Sequence, residues 1–277
     1  MKDLLPDIQN TPVSSIQIDR VGVTDIDFPL PIKLKNGIIQ TIYSTAHLYG
    51  SLPKTRKGTN MSRYLEVLFQ QKQPLNVRKN LRDFLYQLLQ VVDTKDIYCE
   101  INFKLFMEKI APVSKKKGVL AYNCSLIGRL QQGKYTFFNY AYKIKVPVTS
   151  VCPCSKQISK FGAHNQRGYV EATIIFEKNK SIPLEDLIKL IEKQGSCELY
   201  PILKRPDEKY VTEKGYKNAK FVEDICRDVA IKLQEISVIK KFKIKVENFE
   251  SIHDHNAVAY VFRKRRGKRW TSDIQII

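Results

Sequence analysis

Nowhere in the 277 residues does an apolar run approach the ~20 positions that a helix needs to cross a bilayer. The opening MKDLLPDIQN carries acid and proline where a secretory leader needs an apolar stretch. These two absences lead to the expectation of a soluble, cytoplasmic protein with no membrane partner. Acidic side chains are scarce as well, 28 against 47 basic ones, for a formal net charge of +19. That imbalance suits an anionic partner, either nucleic acid or a nucleotide polyphosphate, and it equally fits a general lysine bias. Reactive side chains are rarest of all, with four histidines and six cysteines. In a reducing compartment the cysteines are expected as thiols. Cys99, Cys124 and Cys226 lie in apolar runs and read as core residues. Apolar residues are plentiful, 43% of the chain and spread along it, which excludes a disordered protein.

Alternation predicts strands over 15–23 and 38–49. KGTNMSRYLEVLFQ (57–70) reads as a loop entering a short helix. A helix over 76–93, capped by Asn76, carries the stripe Leu81, Phe84, Leu85, Leu88, Leu89 and Val92. Strands over 97–108 and 118–148 follow, the second a hairpin turning near Gln132-Gly133. Beyond residue 150 the reading is a motif loop, a strand over 168–177, and a helix over 183–193 capped by Ser181. That helix carries Leu184, Leu187, Ile188 and Ile191 on one side. Next come a polar loop, KRPDEKYVTEKGYKNAK, and a helix over 220–236 with Phe221, Val222, Ile225, Val229, Leu233 and Ile236 inward. Strands over 240–248 and 256–263 close the chain before a basic tail (263–277). The order suggests an α+β protein of two similar halves, 1–115 and 116–277, each an antiparallel sheet with helices on one face.

The scarce side chains cluster in the second half: Cys152-Pro-Cys154, His164, Glu208 within RPDE, and His253-Asp-His255. Thiolate, imidazole and carboxylate are the ligands of zinc and related divalent metals. In an extended segment Cys152 and Cys154 would point the same way, as would His253 and His255. Two metal arrangements follow. One is a closed Cys₂His₂ structural site, which the one-residue cysteine spacing disfavours. The other takes one member of each pair with His164 and Glu208 and leaves the rest for catalysis.

The block VPVTSVCPCSKQIS–GAHNQR closely resembles the signature of type IB GTP cyclohydrolase I. SCELYPILKRPDEKYVTEKGY, FVEDICRDVA, ESIHDHNA and KGTNMSRYLE resemble that family's other blocks in the expected order, and the likeness spans roughly residues 10 to 265. It implies the tunnelling fold, two modules per chain, and a homotetramer with active sites at subunit interfaces. The implied reaction converts GTP to 7,8-dihydroneopterin triphosphate and formate, opening tetrahydrofolate biosynthesis. By position within the motifs, Cys152, His164, Glu208 and His253 would be ligands of one divalent metal, zinc, manganese or iron. Glu223 would anchor the purine.

The chemistry is consistent with those assignments. Water must be added at guanine C8, and a metal-bound water is acidified enough to attack. Cys154 and His255 flank two expected ligands and could shuttle protons. Glu223 could accept parallel hydrogen bonds from guanine N1–H and the 2-amino group, a pair that adenine does not offer. Lys156, Arg167, Lys204 and Arg205, and Ser62-Arg63 across an interface, could reach the triphosphate. Two rivals are a basic nucleic-acid binder held by a Cys₂His₂ clip and a different tunnelling-fold enzyme acting on a purine or pterin.

Overall fold

The structure is a computed structural model that describes residues 16–177, 180–267 and 269–273. Ser15, where the first predicted strand begins, and part of the basic tail lie outside the described residues. The chain divides into two compact units, Met1–Phe103 with Ser125–Tyr140, and Lys104–Cys124 with Ala141–Ile277. Within each, hydrogen-bonded strands follow chain order.

In the first unit, β1 (Ile18–Lys33) and β2 (Ile39–Leu52) form a hairpin in which Lys33 faces Ile39. Gly37, at φ 87°, supplies the turn, and its amide donates to the Leu34 carbonyl at 2.9 Å. β1 runs ten residues past its predicted end at 23. Pro29 and Pro31 disguise it as a loop, yet Phe28, Leu30 and Ile32 point inward at strand spacing. Proline is tolerated there because, among the described residues, β1 pairs on one side only. Two helices follow, α1 (Met61–Phe69) and α2 (Arg78–Val92). All six predicted apolar residues of α2 are buried. Its stripe lies against Gly128, where a Cβ would come within 2.8 Å of Leu85 and 3.0 Å of Leu81. Asn76 is not the cap. The α2 N-cap is Val77, with no side-chain bond, and Asn76 instead exchanges two hydrogen bonds with the Lys33 backbone at 2.9 and 2.7 Å.

Strands β3 (Asp96–Ile110), β4 (Lys117–Gln131) and β5 (Phe137–Val151) supply residues to both units. The second unit continues with α3 (Pro153–Ile158), β6 (Asn165–Phe176), α4 (Leu184–Glu192), α5 (Arg205–Lys217), α6 (Val222–Gln234), β7 (Ile239–Asn248), β8 (Ala257–Arg266) and β9 (Arg269–Ser272). Val170, Ala172 and Ile174 of β6 alternate into a core completed by Leu187, Ile188 and Ile191 of α4 and Ile225, Val229 and Leu233 of α6. Cys99, Cys124 and Cys226 are buried as expected, and burial pushes their thiols up to about 12, 12 and 11.

Several local expectations are corrected in this unit. Ser181 does not cap α4; Pro183 occupies the N-cap and no side chain bonds there. Phe221, expected inward, is the α6 N-cap and is 37% exposed. The segment read as a polar loop is the helix α5, which buries only Asp207 and Gly215 and so has no apolar stripe. The described part of the basic tail forms the end of β8, a turn at Gly267 and the strand β9, and Arg265 in it donates to the carbonyls of Gln234 and Ile236, each at 3.0 Å. The first of those bonds reaches a carbonyl in the last turn of α6; the Ile236 carbonyl also accepts from the Ile239 amide at 3.2 Å. No helix among the described residues is long and apolar enough to cross a membrane.

Candidate functional site

The motif residues sit mainly at one end of the second unit's sheet. The β5–β6 ladder closes with Val151 opposite Asn165. One step further, the Cys152 amide donates to the His164 carbonyl at 3.1 Å, so the two residues flank the final rung. Both are half-buried. The β6–β7 register sets Gly168 opposite Asn248, and β7 pairs Asn248 with Ala257 of β8. The loop carrying Glu250, Ser251, His253 and His255 therefore leaves the sheet at the same end.

CPC is not extended. Cys152 is the N-cap of α3, with its Sγ accepting from the Ser155 amide at 3.4 Å. Cys154 lies inside the helix and is exposed. The one-sided presentation expected of an extended Cys-x-Cys is lost, because Pro153 at the first position nucleates a turn. Ser155 Oγ donates to the Cys152 carbonyl and accepts from the His164 amide, both at 3.2 Å, locking the two motifs together. The HDH segment is a loop too, but its imidazoles still share a side: the His253 and His255 rings stack at 5.0 Å. His255 Nδ1 lies 3.1 Å from Asp254 Oδ1, and Ser251 Oγ lies 3.5 Å from His164 Nδ1.

Glu208 and Glu223 are exposed and come from first helical turns. α6 is tied to the motif end because the Lys220 amide donates to the Val151 carbonyl at 3.0 Å. α5 is fixed at its start by Asp207, which sequence reasoning passed over beside Glu208. Asp207 is fully buried and accepts from the amides of Val113 (2.8 Å), Ser114 (2.9 Å) and Lys204 (2.9 Å) and from the Ser114 hydroxyl. Burial pushes its carboxyl up, but the Ser114 hydroxyl and those amides overcome it and hold it far below the usual range. Proline followed by two acids in RPDE was the available signal of this helix start. Further along, Gly215 is buried, and Lys156 Nζ stands 4.7 Å above the Tyr216 ring. Arg167, Lys204 and Arg205 are exposed.

Sulfur, imidazole and carboxylate donors suit a divalent transition ion, and Cys152 and His164 are already neighbours. Among the described residues, no three His, Cys, Asp or Glu side chains gather closely enough to hold one. The first unit contains a cavity of about 1170 Å³, lined in part by Arg20, Arg56, Tyr98 and Arg129, that includes none of the motif residues.

Known proteins resemble the chain at two levels. A solved urate oxidase from Bacillus subtilis 168 shares its fold at TM-score 0.56 with 8% identity, over 89% of this chain and 98% of the other. That is the tunnelling fold, two tandem modules of antiparallel sheet with helices. GTP cyclohydrolase FolE2 of Methylobacillus flagellatus is 43% identical over 263 residues, 95% of this chain and 97% of its own. GTP cyclohydrolase FolE2 of Thiobacillus denitrificans is 41% identical over 265 residues, 95% and 96% of the two chains. The family described as type I GTP cyclohydrolase folE2 matches residues 5–259, a span that includes every motif residue discussed above, and the chain belongs to it.

Proposed function

We propose that the chain is a GTP cyclohydrolase I, converting GTP and water to 7,8-dihydroneopterin triphosphate and formate in tetrahydrofolate biosynthesis, at the motif end of its second module (116–277). The observation that carries the reading is the Cys152–His164 rung, locked by Ser155 and overhung by the Ser251 loop, in a chain of this family. Cys152, His164, Glu208 and His253 would hold one divalent ion, zinc, manganese or iron. When bound, the ion supplies acidification of water and neutralisation of developing charge.

The remaining work falls to other side chains. Glu223 accepts N1–H and the 2-amino group of guanine and so orients the base. Cys154 and His255, both exposed beside expected ligands, take and return protons at the ring nitrogen and the leaving formyl group. Lys156, Arg167, Lys204 and Arg205 offer charge to the triphosphate. The ligand set is read as completed at a subunit interface of a homotetramer. Supporting this, Ile158 and Phe161 of the motif loop are 82% and 99% exposed, and Ile252 of the HDH loop is 63% exposed. The setting is cytoplasmic, with GTP as partner and no nucleic acid.

Metal-reconstituted protein incubated with GTP should yield a fluorescent pterin after oxidation, together with formate. Protein that binds metal and GTP yet releases neither product would end this reading.

A further inference from the structure

Beneath the Cys152–His164 rung lie three buried polar side chains that the reaction above does not use: Ser150, Gln166 and Asn248, at 1%, 8% and 1% exposure. The hydrogen bonds of Ser150 and Gln166 can be oriented from their partners. Ser150 Oγ is 2.9 Å from the Lys220 carbonyl. A carbonyl only accepts, so the single hydroxyl proton points there. Ser150 Oγ must then accept from its other two neighbours, Asn248 Nδ2 at 3.0 Å and Gln166 Nε2 at 3.4 Å. Glu250 Oε1 also lies 3.4 Å from Gln166 Nε2, and a carboxylate only accepts. A flipped Gln166 amide would set its oxygen against that carboxylate. The amide nitrogen therefore faces Ser150 and Glu250, and the amide oxygen faces His164 Nδ1 at 3.0 Å. That oxygen only accepts, whereas the Ser251 hydroxyl, 3.5 Å from the same nitrogen, can accept or donate, so the shorter contact to Gln166 puts the imidazole proton on Nδ1.

We propose that Gln166 is a positioning residue that locks His164 in its Nδ1–H tautomer and aims the Nε2 lone pair outward as a ligand. The ligand role rests on the metal reading above; the tautomer does not. The ring is set by a relay that begins at the Lys220 carbonyl, which belongs to the lead-in of α6, and passes through Ser150 and Gln166. Gly168 makes room for it, since a Cβ there would lie 2.4 Å from Asn248 Oδ1.

The test uses full-length, metal-free, ¹⁵N-labelled protein at pH about 8, above the ordinary imidazole range. Two-bond ¹H–¹⁵N correlations report the tautomer of each ring, and a His164→Gln variant assigns the relevant one among four histidines. The expected result is a protonated Nδ1 and an unprotonated Nε2 for His164. Gln166→Met, similar in length but without the amide, should shift the ring toward Nε2–H and weaken metal binding by about 10- to 100-fold. An Nε2–H ring in the parent protein overturns the inference even if the variant fails to fold. So does a variant that keeps the Nδ1–H form. An Nδ1–H ring in a protein that never turns over GTP would uphold the tautomer and sink the cyclohydrolase reading instead.

Discussion

The two units differ in where they are hollow and where they are reactive. The first holds a polar cavity of about 1170 Å³ with arginines in its wall, two of them bound to aspartates: Arg56 to Asp93 and Arg129 to Asp96. None of the scarce thiols or imidazoles of the motifs reaches it. The motif end of the second unit has the reactive groups, but most of them, Cys154, Glu208, Glu223, His253 and His255, stand exposed. A hollow in one protomer records where side chains leave space. It does not record where acidification of water or proton transfer can occur, and that depends on donor chemistry and on support beneath it. Support is what the second unit supplies, through Ser155, Ser150 and Gln166.

The contrast can be broken by experiment. Cys152→Ala should cost the largest effect, a loss of turnover above about 100-fold with loss of bound metal, since removing even a ligand's supporting partner costs 10- to 100-fold. Full activity in that variant would remove Cys152 from the centre. Glu223→Gln should lower kcat/KM roughly 100-fold through lost charge-assisted hydrogen bonds, with metal content unchanged. An unchanged KM for GTP would move the purine anchor elsewhere. Gly168→Ala should destabilise the protein by about 1–3 kcal/mol in denaturant unfolding. Its Cβ would meet backbone, the Glu247 carbonyl at 2.8 Å, as well as Asn248.

Asp207→Asn sharpens the comparison by pH. A carboxylate whose folded pKa is depressed adds stability above its unfolded value, ~3.9, and loses it as pH falls through the folded value. The variant should therefore melt a few degrees below the parent at neutral pH, with the gap narrowing in acid. A gap constant through the acid range would show that the Asp207 charge is not what matters. The smallest effect belongs to the first unit. Arg129→Gln should cost about 1 kcal/mol or less, because its pair with Asp96 is partly exposed, and leave turnover within about twofold. A collapse of turnover there would place chemistry in the cavity after all.

The sequence revealed most where burial imposes a period. Leu81 to Val92 in α2 and Leu184 to Ile191 in α4 repeat at helical spacing because each must reach a core. α5 hid because it is held by points and not by a stripe: Asp207 at one end and the Lys214–Glu198 pair at the other. The caps at Asn76 and Ser181 misled because a residue type that can cap a helix can also serve a neighbouring strand or solvent. The motif residues were legible as types, since sulfur and imidazole are scarce in this chain. Gln166 was not, because an amide is informative only once its neighbours' donors and acceptors are known.

Strand order has a bearing on synthesis. In each unit a strand pairs with the one before it in the chain, so a strand leaving the ribosome can find an edge that already exists. Helices inserted between β2 and β3, and between β6 and β7, impose the long waits. The segment from α4 through α6 is thus the stretch during which β6 travels with a bare edge, and β7 is the element that retires that hazard for the nascent chain.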